Sequence, residues 1–419
     1  MIKHELNQVY LVGGAVRDSL LGLACKDKDY VVVGETAEAM LKRGFIQVGN
    51  DFAVFLHPKS KEEYALARTE RKTARGYTGF TACTERSVTL EQDLARRDLT
   101  INAMALDKEG RLIDPFNGRE DLHNRLLRHT TEAFAEDPVR VLRIARLMAR
   151  YGEGWRIHPE TYDLMLQIRD SGELAGLTPE RVWKETEKAL EEKFPERYFM
   201  TLNGLGIFPE IEAMVGVPQP AEHHPEGDVF THSMLALKRA ADCGFDMPTR
   251  FAALTHDFGK ALCYRQRGNF WGHEQEGLAV INGFCDRLKV PNRFRRLALL
   301  SSDNHTRCHQ IFKMSPKKIH KLLVEHMDAL ARPERFEQFL QACLCDAQGR
   351  GSGRVNRAYP QADFARALLA NLAGLDRKAV VQTALQQGRK GADIGKALRE
   401  AEIHCIRLFS ALNKTGFIN

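Results

Sequence analysis

The stretch GGAVRDSLLGLACKDKDYVVVG, Gly13 to Gly34, decides how the N-terminal part of the chain folds. Just before it, QVYLV at residues 8–12 reads as a buried strand. The Gly pair then turns the chain into a short helix, Ala15–Leu21, which ends at Gly22. Asp29–Val33, β-branched and bounded by Gly34, reads as a second strand. Residues i and i+2 of a strand point the same way, so Asp27 and Asp29 present two carboxylates on one face. Such a pair repels itself unless a divalent cation lies between. Oxygen-only ligands suit Mg2+, which takes its remaining ligands from water and substrate phosphates. Gly13 and Gly14 leave backbone N–H groups open at a helix N-terminus, where a phosphate can approach. Arg17, one turn along, adds a charge-assisted contact. Together these parts suit a nucleoside triphosphate held by its phosphates, with metal on the transferred group.

The rest of the chain bounds this reading. Its 419 residues exceed one ordinary core, so two to four domains are expected. A hydrophobic content of 43% with 28% charged residues is that of a soluble globular protein. No stretch resembles a membrane span, and the first residues, MIKHELNQVYLVGG, carry no apolar signal core. Nine scattered cysteines without a CxxC read as reduced thiols of a cytoplasmic protein. A net charge of +6 permits a polyanionic partner without demanding one. Further short strands are expected near Phe52–Leu56 and Tyr64–Ala67. From about Asp137 apolar residues recur at helical spacing. Val217–Asp228, rich in Pro and His, reads as a linker.

GGAVRDSLLG followed by DKD resembles the head of the class II nucleotidyltransferases of the DNA polymerase β superfamily. Members include tRNA CCA-adding enzymes and bacterial poly(A) polymerases. The resemblance implies an α/β head with a small mixed sheet, followed by an all-α neck, body and tail. It also implies Asp27 and Asp29 as Mg2+ ligands, with Glu63 in EYALA as a candidate third carboxylate. RRDLTINAMAL, from Arg96, matches a family motif that binds triphosphate and ribose, implying Arg97 and Asp98. IDPFNG at Ile113–Gly118 is family-like and reads as a turn.

AEDPVRVLRIARLMARYG reads as a helix with Pro138 first and Asp137 as its cap. At 100° per residue Arg140, Arg143, Arg146 and Arg150 share one face, opposite an apolar one. Within the family, EDxxR selects the incoming nucleotide. That implies Asp137 and Arg140 for selection, with Arg143 and Arg146 lining the triphosphate site beside Gly14 and Arg17. A physical reason exists. Cytosine and adenine both show an amino donor beside a ring-nitrogen acceptor, which a carboxylate and a guanidinium match; uracil and guanine do not. LTPERVWKETEKAL at Leu177–Leu190 resembles the family neck.

In the C-terminal half, His232 in VFTHSM, His256 and Asp257 in THDFGK, and Asp346 in CLCDAQGR form an H…HD…D set. Mixed His and Asp ligands suit a transition metal or Mg2+ better than structural zinc. The set resembles the HD superfamily of metal-dependent phosphohydrolases, with a metal such as Ni2+. Asp303 in SSDNH is nearer in sequence than Asp346. His223, His224, His273 and His305 read as linker, supporting or surface groups. The expected division is a head over 1–135, a neck over 136–218, an HD domain over 226–350 and a helical tail over 351–419.

The resemblance implies an enzyme that adds or repairs the CCA end of tRNA using CTP and ATP, as a monomer or homodimer. The HD domain implies 2′,3′-cyclic phosphodiesterase, 2′-nucleotidase and phosphatase activities. Rival readings are a CC-adding, A-adding or poly(A)-adding polymerase, an HD phosphohydrolase with a non-catalytic RNA-binding head, and an HD domain that serves only as scaffold.

Overall fold

A computed structural model describes residues 6, 8–25, 27–48, 54–72, 80–351 and 353–418, and these form two compact units. One contains the chain up to Arg181 with Leu205–Ile207. The other contains Val182–Gly204 and the chain from Phe208 onward.

In the first unit the apolar run before the Gly pair forms β1 (Val9–Val12), and the turn opens α1 (Gly14–Leu20). Then come β2 (Asp29–Val32), α2 (Ala37–Lys42), β3 (Ile46–Val48), β4 (Val54–Leu56) and β5 (Glu63–Leu66). A hairpin of β6 (Thr69–Lys72) and β7 (Phe80–Cys83) precedes α3 (Leu90–Ala95), β8 (Ala105–Leu106), β9 (Leu112–Ile113) and α4 (Gly118–His123). Strand β10 (Leu126–Leu127) pairs in parallel with β11 (Arg156–Ile157) around α5 (Val139–Tyr151), and α6 (Pro159–Asp170) follows. The main sheet has seven strands in the order β3-β4-β5-β2-β1-β8-β9. Only β2 and β5 run parallel; the other neighbours are antiparallel. Alternation gives the sheet two buried faces. Val12, Val31 and Ala105 pack with Leu94 on one, and Val32, Leu66 and Phe55 pack with Met40 on the other.

The two strands expected near 52–56 and 64–67 are present as β4 and β5, with residues 52–53 outside the described set. IDPFNG is a turn: both Asp114 oxygens accept backbone N–H groups, from Gly118 at 2.7 Å and Arg119 at 2.9 Å.

Helix α7 (Pro179–Glu191) leads to α8 (Pro195–Leu202) and α9 (Pro209–Glu212). The second unit continues with α10 (Val229–Asp242), α11 (Met247–Thr255), α12 (Phe258–Arg267), α13 (His273–Leu288), α14 (Asn292–His309) and α15 (Pro316–His320). It ends with α16 (Pro333–Gln348), α17 (Pro360–Ala373), α18 (Arg377–Gln386) and α19 (Ala392–Ile418). Phe339, Leu340, Phe364 and Leu368 belong to one of its apolar clusters. Among the described residues no helix is long and apolar enough to cross a membrane. The fold class is therefore the expected one, an α/β head followed by helices.

Val217–Asp228, expected as a linker, is an ordered loop. Val229 N–H donates to Val217 O at 3.0 Å and Gln219 N–H donates to Gly227 O at 2.9 Å, which closes it at its base. It carries His224 and Glu226 into the interior.

Candidate functional sites

Strand register assembles the first site. Val12 faces Asp29 across the β1–β2 pair, so the first residue of β2 lies beside the residue that precedes Gly13. Gly13 takes φ 68°, a conformation glycine adopts without a Cβ penalty. A Cβ there would also lie 2.9 Å from Arg97 Nη1, so the Arg97 guanidinium covers the turn. On its other side β2 pairs in parallel with β5, and Asp29 is the register partner of Glu63. Register partners share a face about 4.8 Å apart. Glu63 therefore joins Asp29 at one end of the sheet, and Asp27 stands exposed two residues upstream. Burial pushes the Asp29 carboxyl above its ordinary range; Arg97 pulls it back and the Asp27 charge raises it again.

A polar chain runs from this turn to α5. Arg17 Nη1 donates to Asn102 Oδ1 at 2.6 Å, and Asn102 Nδ2 donates to Asp98 Oδ1 at 2.9 Å. Arg143 Nε donates to Asp98 Oδ2 at 2.7 Å. Arg17 also donates to Asp18, whose other oxygen accepts from Arg150 at 2.8 Å. Arg97 is held by Asp93 at 3.1 Å. The structure thus brings Gly14, Arg17, Arg97, Asp98 and Arg143 together, with Arg146 one helical turn beyond Arg143 on α5.

Asp137 and Arg140 are placed differently from a ready-made base-reading pair. Helix α5 begins at Val139, one residue later than expected, yet Asp137 Oδ1 still accepts the Val139 N–H at 3.2 Å. Both Asp137 oxygens also accept from Arg181 Nη2, at 3.0 and 2.8 Å. The buried Arg140 donates to two backbone carbonyls, Ala133 O at 2.8 Å and Arg96 O at 2.7 Å. Arg181 and Asn102 went unnoticed in the sequence. Asn102 lies inside the quoted RRDLTINAM, four residues after Asp98, and that spacing is its only local signal.

The second site lies in the helical unit. At His256 and Asp257 the chain breaks between two helices, with His256 closing α11 and Asp257 opening α12. Adjacent residues of an unbroken helix point about 100° apart, and the break lets both side chains enter one cluster. His232 comes from α10, Asp346 from α16, His273 from α13 and His305 from α14. Each imidazole is fixed through Nδ1 by a backbone carbonyl. The partners are Gly349 for His232 (3.1 Å), Ala253 for His256 (2.8 Å), Phe270 for His273 (2.9 Å), and Ser301 and Ser302 for His305 (3.0 Å each). A carbonyl only accepts, so Nδ1 carries a proton and each Nε2 points inward.

Those Nε2 atoms meet two carboxylates. His256 lies 3.1 Å and His232 3.7 Å from Asp257 Oδ2, while His232 is 3.2 Å from Asp346 Oδ1. His273 and His305 each lie 3.5 Å from Asp257 Oδ1. Two donor sets result, His232/His256/Asp346 and Asp257/His273/His305, each with its ligand atoms within 4.8 Å of one another. Burial alone would raise both carboxyls. His256 and Lys260 nevertheless hold Asp257 well below its usual range, and His309 and His256 do the same for Asp346. Nε2 of His232, Nε2 of His256 and Oδ1 of Asp257 are buried with no hydrogen-bond partner among the described residues. Unpaired buried groups of this kind cost stability unless an ion completes them.

Of the histidines read as linker, supporting or surface groups, His273 and His305 are neither linker nor surface: both are buried and face Asp257. Asp346 enters the cluster, whereas Asp303 accepts from Gln275 and Arg307 outside it. Glu226 accepts from His224 and lies 2.8 Å from His232 Nδ1. His309 lies 2.6 Å from Asp346 Oδ2, and its Nδ1 is 2.8 Å from the Tyr359 hydroxyl.

Residues 9–128 match the poly A polymerase head domain, and residues 154–214 match a probable RNA and SrmB-binding site of polymerase A. The multifunctional CCA protein of Teredinibacter turnerae is 50% identical over 410 residues, covering 96% of this chain and 98% of that protein. That of Acinetobacter baumannii strain SDF is 50% identical over 408 residues, covering 96% and 97%. The fold resembles the Thermotoga maritima CCA-adding enzyme complexed with tRNA, with a TM-score of 0.61 and 20% identity over 96% of this chain and 91% of that one. It also resembles a CCA-adding enzyme in complex with CTP, with a TM-score of 0.62 and 22% identity over 95% and 87%.

Proposed function

Because this chain belongs to the multifunctional CCA protein family, we propose that it adds or repairs the 3′-terminal CCA of tRNA from CTP and ATP without a nucleic-acid template. The tRNA 3′-hydroxyl attacks the α-phosphate and pyrophosphate leaves. The observation that carries this reading is the register setting Asp29 between Val12 and Glu63, beside the Gly13–Gly14 turn. Asp27, Asp29 and Glu63 suit Mg2+, because the like charge of Asp27 and the register-paired Glu63 leave Asp29 in need of a cation. Bound Mg2+ supplies charge stabilisation to the attacking and leaving oxygens. The chain's own groups do the rest. Gly14 gives the triphosphate a close approach, and Arg17, Arg97, Arg143 and Arg146 neutralise it, with Asp98 fixing Arg143. Asp137 and Arg140 read the base edge, for which Asp137 exchanges Arg181 for the base amino group. The tRNA is held through its backbone, so binding weakens with salt.

The helical unit supports a second activity, metal-dependent phosphohydrolysis. The inward Nε2 atoms and the Asp257 Oδ1 that lacks a hydrogen bond favour this reading. His232, His256, Asp257 and Asp346 suit a divalent ion such as Ni2+, and Asp257, His273 and His305 offer a second position that shares Asp257. The metal supplies Lewis acidity toward water. The substrates this reading expects are 2′,3′-cyclic phosphates, 2′-nucleotides and other phosphomonoesters.

The deciding experiment uses the full chain, Mg2+ and three tRNA transcripts ending before CCA, after C and after CC. CTP and ATP are given separately and together, and products are read at nucleotide resolution. Ordered addition of C, C and A that then stops is expected. A long A-tail, or incorporation of a single base type, assigns a narrower polymerase. No incorporation leaves the phosphohydrolase as the chain's activity.

A further inference from the structure

Beside the His/Asp cluster lies a cavity of about 610 Å3, a volume that holds a nucleoside. Pro218 and Pro220 of the closed loop line it together with Tyr264, Phe270, the exposed Trp271 and the buried His273. Tyr264 and Phe270 stack with ring centroids 5.9 Å apart. Trp271 is 84% exposed, whereas the chain's other two tryptophans, Trp155 and Trp183, are 8% and 6% exposed. An exposed indole on a loose loop would mean little. This loop is fastened: Trp271 N–H donates to Asn269 Oδ1 at 3.0 Å, and Arg267 donates to Trp271 O at 3.0 Å. The backbone that carries the exposed indole is therefore fixed.

Two residues tie the cavity to the cluster. His273 lines the cavity, with Nδ1 on Phe270 O at 2.9 Å and Nε2 3.5 Å from Asp257 Oδ1. Lys260 places its Nζ 2.7 Å from Asp257 Oδ2 and 5.6 Å from the Phe270 ring centroid. A phosphate at the cluster and a flat ring in the cavity would thus flank one ammonium. Trp271 and His273 are two residues apart, at most about 7 Å between Cα atoms, a gap that a mononucleotide bridges. Aromatic side chains stack on any base, because every base has a π-face.

We propose that this cavity is a base-binding subsite, which seats the nucleobase of a nucleotide or RNA end on Trp271 while its phosphate lies at the His/Asp cluster. The proposal rests on the reading of the cluster as a phosphohydrolase centre, and it makes that centre selective for nucleotides over base-free phosphate esters. The test uses the full chain. In EDTA, adenosine 2′-monophosphate is titrated against tryptophan fluorescence. Saturable quenching is expected, lost in Trp271→Ala with binding weakened about tenfold, and binding partly restored in Trp271→Phe. In the Ni2+-loaded chain, Trp271→Ala should raise KM for adenosine 2′-monophosphate about tenfold and leave KM for glycerol phosphate unchanged. Trp271 lies at the surface, so its loss spares folding, which circular dichroism checks. Absent quenching, or an unchanged ratio of the two KM values, overturns the subsite even if hydrolysis persists. If the loaded chain hydrolyses neither ester, the phosphohydrolase reading fails, and the quenching titration alone then decides whether a base sits on Trp271.

Discussion

Asp98 shows how one residue can organise a site it does not complete. It is nearly fully buried, and its two oxygens join Asn102, and through it Arg17, to Arg143. Burial opposes its charge, yet Arg143 and the Asn102 amide hold its carboxyl well below the usual range. The consequence for stability has a definite sign. A carboxyl depressed in the folded state contributes stability that is fully present above its unfolded value, about 3.9. That contribution is lost as pH falls toward the folded value. Unfolding free energy should therefore drop on acidification below about pH 4, with the buried Asp93, also depressed by its Arg96 and Arg97 partners, adding to the slope. Asp98→Asn should lower stability at neutral pH and flatten that acid slope. Thermal midpoints measured from about pH 5 downward check this, and equal slopes in the two proteins would refute the charge-network account.

Elements, rather than residues, explain what the sequence could and could not reveal. The Gly turn and the strand that begins at Asp29 were legible because they are local, although Asp27 lies before β2 rather than in it. A strand alternates with period two, and a Gly pair before a helix opens its N-terminus. Glu63 was only a weak candidate, because its place depends on β5 returning parallel to β2 after α2, β3 and β4. The place of His273 and His305 was hidden for the same reason: each lies on a different helix and meets Asp257 only after packing. The break between α11 and α12 was hidden too, since THDFGK contains neither a proline nor a glycine before Asp257. Register yields its own prediction. If Glu63 shares the metal with Asp29, Glu63→Gln should lower kcat for CTP incorporation about 10- to 100-fold with little change in tRNA affinity. Asp29→Asn should cost more than Glu63→Gln. Single-turnover incorporation measures both, and a Glu63→Gln enzyme with unaltered kcat would remove Glu63 from the site.

At the scale of the whole molecule, the two candidate sites are built from separate compact units and from different ligands. The head offers oxygen ligands only, as Mg2+ prefers, whereas the helical unit offers imidazoles that favour transition metals. That chemical division predicts separable behaviour. A divalent ion that binds only the folded cluster stabilises it by about 2.7 kcal/mol at one hundred times its Kd. Ni2+ should therefore raise the thermal midpoint of the full chain, and chelation should reverse the rise. In His256→Ala, which removes one inward imidazole, the Ni2+ response should shrink sharply and phosphohydrolysis should disappear, while CCA addition with Mg2+ continues at the parental rate. Asp27→Ala should do the converse, abolishing addition and keeping the Ni2+ response. Calorimetry with and without Ni2+, run beside the tRNA assay on the same preparations, reads both properties. Loss of addition in a folded His256→Ala protein would mean that the two sites depend on each other. A full Ni2+ response surviving that substitution would mean that the ion binds elsewhere, and the unpaired Nε2 and Oδ1 atoms of the cluster would then need another partner.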